Sequence, residues 1–149
     1  MHRRHYQLKP PLPRLYDPFT DLRHEQLRNV PDLISRNQKL FEGERRRFAV
    51  RDITRDPPPQ TDVILCRDCF IHISFARIRA AMSNFRKTGA SYLLCTTHTT
   101  VRENIDCTDG SWRSLNLQLA AFKFPPPSKL IIEDAELGKC LGVWRLRDL

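Results

Sequence analysis

The chain has 149 residues, 40% of them hydrophobic and 28% charged, with a formal net charge of +8 at pH 7. That size fits one domain with a modest core, and no apolar run is long enough to cross a membrane as a helix. Five cysteines, an odd number set mostly in apolar runs, point to reduced thiols in a cytoplasmic protein rather than to a secreted disulfide framework. No membrane partner is expected. The basic residues are scattered except for Arg45-Arg46-Arg47, which makes a nucleic-acid surface the lesser reading.

Residues 1–29 carry few structural signals. Pro10, Pro11, Pro13 and Pro18 interrupt any regular element. Tyr16, Phe19 and Leu22 are spaced to dock as a strap, with disorder as the other outcome. Pro31 is suited to the first turn of a helix, Leu33, Ile34, Leu40 and Phe41 give it an apolar face, and Gly43 ends it. The alternation from Arg47 to Ile53 predicts a strand, and Pro57-Pro58-Pro59 a stiff connector.

The stretch from Asp62 to His98 carries the most information. Asp62–Leu65 reads as a buried strand. Ser74 is a favourable helix N-cap, and Phe75, Ile78, Ala81, Met82 and Phe85 recur at helical spacing before Gly89. Ser91–Thr97 is a second apolar run. Strand, helix and strand in that compass predict a minimal parallel crossover. Residues 99–127 form a long polar segment, of a length usually found in functional loops or lids. Lys129–Glu133 and Leu141–Leu146 predict a final antiparallel pair.

Open α/β sheets bind ligands at the carboxyl ends of their strands. Asp52, Cys66, Arg67, Asp68 and Thr96 fall at those ends and make a candidate crevice, with a structural ion pair between Arg67 and Asp68 as the competing reading. Cys66-x-x-Cys69 and Cys95-x-x-His98 together have the composition of a zinc site. They lie inside strand-like runs rather than at glycine or proline turns, so no metal is expected. A catalytic pair of Cys66 or Cys69 with His72 or His98 lacks any local signature, and buried inert thiols are the default.

At these residues the chain resembles the class I, seven-stranded S-adenosylmethionine-dependent methyltransferases, and most of all a group of small, bacterial-type members. The matching segments are Val30–Asn37, Arg51–Thr54, Asp62–Ser74, Asn84–Arg86, Tyr92–Leu94, Trp112–Gln118, Phe122–Pro127 and Cys140–Leu146. The resemblance implies an incomplete, doubly wound Rossmann-like sheet, mostly parallel with an antiparallel C-terminal strand. It divides the chain into an irregular proline-rich segment, 1–29, and a truncated methyltransferase-like domain, 30–149. The implied cofactor is S-adenosylmethionine, with Asp52 and Ile53 flanking its adenine and Cys66 and Arg67 facing its methionine end. Asp68 and His72 would serve a methyl acceptor that the sequence does not identify, and Asn116 and Phe122–Phe124 would shape its pocket.

Two family features have no counterpart. No glycine occurs before Gly43, so the family's first strand and glycine-rich loop are missing, and its ribose-binding acid aligns with Arg28. On that reading the strand ending at Asp52 lacks a pairing partner. A catalytically inactive remnant, or an interaction module that binds no cofactor, is the alternative function. The sequence indicates no oligomeric state.

Overall fold

The computed structural model describes the backbone of residues 24–28 and the whole of residues 31–149. The prolines before residue 19 and the Tyr16, Phe19, Leu22 strap lie outside the described residues. The first unit is β1 (His24–Arg28), α1 (Pro31–Phe41) and β2 (Arg46–Val50). Pro31 opens α1, where its missing N–H costs no helix bond, and Asp32 and Lys39 sit at the ends that favour their charges. Ile34 is the buried residue of α1 and Phe48 that of β2. Gln38 Nε2 donates to Phe48 O at 2.9 Å and fastens the helix to the strand.

β1 pairs in parallel with β2, from His24 opposite Arg46 to Arg28 opposite Val50. This corrects two expectations. Residues 24–28 form a strand inside the segment expected to be irregular, and the strand leading to Asp52 does have a partner. His24-Glu-Gln-Leu-Arg28 has one apolar residue and no alternation, so its extended state is set by the neighbour it pairs with, not by its own pattern.

The second unit follows the predicted crossover. β3 (Val63–Cys66) leads through a 3-10 turn (Phe70–His72) to α2 (Phe75–Arg86) and back to β4 (Tyr92–His98). β3 and β4 are parallel, with Ile64 opposite Leu93 and Cys66 opposite Cys95. Ile78, Ala81, Met82 and Phe85 of α2 pack on Ile64, Cys66, Leu93 and Cys95 in one core. Gly89 takes φ +74° in the return loop, a conformation that suits glycine.

The long segment then crosses to β5 (Lys129–Asp134), which turns into β6 (Lys139–Arg145). β6 inserts between β4 and β5 and runs antiparallel to both, giving the order β3-β4-β6-β5, while β1 and β2 form a separate two-stranded sheet. The hairpin turns on Asp134, whose Oδ1 accepts from Glu136 N at 3.0 Å and Leu137 N at 3.1 Å. Gly138 follows at φ +61° with the Thr100 side chain packed against it.

Trp144 closes the core on the side of α2. Its Nε1 donates to Pro125 O at 2.8 Å, and its ring meets Phe124 edge-on at 5.5 Å. The same ring lies over Gly142 in the space a Cβ would occupy. On the opposite face of this sheet Val63, Leu65, Tyr92 and Ile131 remain about half exposed.

A Gly142→Ala substitution forces the added methyl against the Trp144 ring. It is expected to cost about 1–3 kcal/mol, read as a lower urea midpoint with an unchanged slope.

Candidate functional site

The turn after β3 brings most of the predicted residues together. Asp68 adopts φ +52°, a left-handed conformation that aspartate tolerates better than most residues. This turns its N–H toward β4, where Thr96 Oγ1 accepts it at 2.8 Å. The Asp68 carboxylate faces Lys139 at the start of β6, with Nζ at 2.8 Å from Oδ1 and 2.9 Å from Oδ2. Arg67 turns away from the crevice to Glu133 on β5, at 2.5 Å, and keeps a longer 3.9 Å contact with Asp68. Four charges therefore neutralise one another across β3, β5 and β6.

Burial alone would raise the Asp68 carboxyl, but the hydrogen bond and charge of Lys139, with Arg67 and Thr96, outweigh it and hold the group below its ordinary range. Lys139 and Arg67 thus favour its anionic form. Cys66 beside it is buried. Its contact with Cys69 favours ionisation, but contact with Cys95 and burial prevail, and the thiol stays well above its ordinary value.

Asp52 lies in a separate turn after β2. Its Oδ1 accepts from Thr54 N at 3.0 Å and Thr54 Oγ1 at 2.7 Å, and its Oδ2 from Arg77 Nη2 at 2.7 Å. Burial raises this carboxyl, yet the Thr54 bonds and the charges of Arg77 and Arg55 together bring it below its ordinary value. Oδ2 also faces Arg55 Nε at 3.8 Å, longer than a hydrogen bond, so its second acceptor position stays available. Ile53 next to it is partly buried on the core, and its carbonyl accepts from Asn84 Nδ2 at 3.0 Å. Asp52 and Ile53 thus clamp the end of β2 onto α2.

His72 ends the 3-10 turn. Its Nδ1 lies 3.1 Å from Ser111 O, and Gly110 N donates to His72 O at 2.8 Å. A carbonyl oxygen only accepts, so Nδ1 is the donor in this contact.

The 99–127 segment is strapped down rather than loose. Ser74 is the N-cap residue of α2, but its side chain makes no capping bond. Carboxylates from the long segment cap instead. Asp109 Oδ1 accepts from Ser74 N and Asp106 Oδ1 from Phe75 N, each at 2.8 Å. Leu115 and Leu117 are fully buried, and Asn116 N donates to Asn104 Oδ1 at 2.9 Å. Phe122 and Phe124 stack edge-on at 6.4 Å within this packing.

Sequence reasoning missed Lys139, Glu133, Arg77 and Asp109, which come from other elements and carry no local motif. Three of the four zinc-type residues meet, since Cys66 touches both Cys69 and Cys95. Cys66 and Cys95 are register neighbours, but His98 lies three residues beyond Cys95 along β4, which puts it on the other face. Among the described residues no group of three or more His, Cys, Asp or Glu is placed to hold a metal. Shallow clefts lie along α1 by Asp32, Ser35 and Arg36 and by Gln60, Asp62 and Gly89 at the amino end of β3.

His98 is buried and accepts from Leu115 N at 3.3 Å through Nδ1. Burial, aided by the Lys139 charge, holds its pKa below the ordinary 6.5. The unfolded chain therefore binds a proton that the folded one refuses. The contribution of His98 is complete above about pH 6.5 and is lost as the pH falls from there toward the folded value. Thermal midpoints measured from pH 7 to pH 5 should fall more steeply for the native chain than for His98→Gln.

No protein-family model and no curated protein matches the chain. Solved structures do. Human N-acetylserotonin methyltransferase, in complex with S-adenosylmethionine, superimposes with a TM-score of 0.53 at 12% identity, over 82% of this chain and 39% of the other. The structure of LaPhzM superimposes with a TM-score of 0.55 at 14% identity, over 83% of this chain and 42% of its own. The chain spans about two fifths of the length of each. At such identities the likeness is one of architecture: a Rossmann-like α/β fold shared with these two structures.

Proposed function

We propose that this chain forms the cofactor- and acceptor-facing portion of an S-adenosylmethionine-dependent methyltransferase that acts on an unidentified nucleophile. The observation that carries the reading is the parallel β3-α2-β4 crossover joined to an inserted antiparallel β6, in a chain whose fold is shared with methyltransferases. Strand ends in such a sheet are where ligands bind; Cys66 and Arg67 stand at the end of β3, and Asp52 and Ile53 follow β2 of the separate two-stranded sheet and are tied to α2.

The residues present fit the adenosyl half of the cofactor. Asp52 Oδ2 has an acceptor position left for an amino group or ribose hydroxyl, and Ile53 supplies an apolar wall. Cys66 and Arg67 would meet the methionine end through their main chain, since the Cys66 side chain is buried in the core and the Arg67 guanidinium is paired with Glu133. When bound, S-adenosylmethionine supplies an electrophilic methyl group. The chain's own task is to align the acceptor and remove its proton. His72 is suited to that through Nε2, whereas Asp68, locked by Lys139, positions the turn.

Titration calorimetry of the purified chain with S-adenosylhomocysteine tests the reading. Micromolar binding is expected, weakened about tenfold, or about 1.4 kcal/mol, by Asp52→Asn in a variant shown to be folded by circular dichroism. No heat from a folded native sample would leave the remnant or interaction module as the better account. With an acceptor in hand, His72→Ala should lower kcat about a hundredfold while cofactor affinity stays unchanged.

A further inference from the structure

The long segment carries a contact that the site above does not use. Arg113 is 8% exposed. Its main chain is fixed, with N donating to Ile71 O at 3.0 Å, and its guanidinium carbon lies 5.0 Å from the centre of the Phe75 ring. Nη1 donates to Cys107 Sγ at 2.6 Å. Nε and Nη2 are buried with no acceptor. Among the described residues no carboxylate pairs with this guanidinium. A buried guanidinium normally has an anion and a full set of acceptors. Here its one hydrogen-bond acceptor is a sulfur.

The other thiols differ. Cys66, Cys95 and Cys140 are buried. Cys69 is half-buried and lies beside the Cys66 thiol. Cys107 combines partial exposure with a guanidinium whose second amino group lacks an acceptor. Its loop is also held in place, since Asp106 Oδ1 accepts from both Cys107 N and Phe75 N at 2.8 Å.

We propose that Cys107 is the hydroperoxide-sensitive thiol of this protein, oxidised to a sulfenic acid that Arg113 holds. Cys107 Sγ attacks one peroxide oxygen. The S–O bond forms as the O–O bond breaks, and the departing oxygen leaves as water with the thiol proton. Sulfur loses two electrons and the peroxide gains them. The oxygen on Sγ then gives the Arg113 N–H groups the acceptor they lack, which favours the product over the reduced state.

The test treats the purified full chain with equimolar hydrogen peroxide and a dimedone-type trap for sulfenic acid, and measures adducts at all five cysteines by peptide mass spectrometry. Cys107 should carry about five times more adduct than any other cysteine. Arg113→Lys, which keeps the charge but loses the planar donor set, should cut trapping at Cys107 about threefold and leave Cys69 unchanged. Equal or greater trapping at Cys69 in the native chain overturns the proposal. So does undiminished trapping at Cys107 in a folded Arg113→Lys variant. Should that variant not fold, the distribution over the native cysteines decides alone.

Discussion

Two parallel neighbours cannot be joined by a tight turn. The chain leaving Cys66 must travel back the length of the sheet before it re-enters at Tyr92. The return path is α2, and its apolar stripe dictates which face of the sheet becomes the core. Ile64, Cys66, Leu93 and Cys95 face it, and Trp144 from β6 completes the same layer. Once that layer is set, the alternate residues of each strand are committed to the other face. The polar residues at the carboxyl ends gather at one rim, because parallel strands end on the same side.

That rim must satisfy its own charges. Asp68 brings its N–H to Thr96 and its carboxylate to Lys139, while Arg67 crosses to Glu133. Arg77 does the same for the neighbouring turn, with Asp52 at 2.7 Å and Asp109 at 3.2 Å. It links the end of β2, the first turn of α2 and the long segment. Neither cluster is a stack of free acids waiting for substrate. Each is a compact salt-bridged joint between elements far apart in sequence, with limited acceptor capacity left over.

Much of this was legible in the sequence, for identifiable reasons. α2 announced itself because Phe75, Ile78, Ala81, Met82 and Phe85 repeat at the helical period before Gly89, and β4 because Ser91–Thr97 is an apolar run. The final hairpin was readable from two apolar runs and the Gly138 turn. β1 was not, since its polar sequence takes its conformation from β2. Asp52, Ile53 and the Cys66–Asp68 turn could be placed at strand ends, but their partners could not. Lys139 lies 71 residues from Asp68 and Arg77 lies 25 from Asp52, separations over which no local pattern speaks. Ser74 shows the limit from the other side. Its residue type fits the cap, yet the amides there are satisfied by aspartates 35 and 31 residues further along the chain.

The position of β6 has a consequence for how the protein is made. β5 touches the rest of its sheet only through β6, which follows it in the chain. A nascent polypeptide that has released β3, α2, β4 and β5 from the ribosome still has no place to put β5, and the edge of β4 stays open. Folding of this half cannot proceed strand by strand with synthesis. It must wait until Trp144 emerges, seats over Gly142 and joins the two edges in one late step.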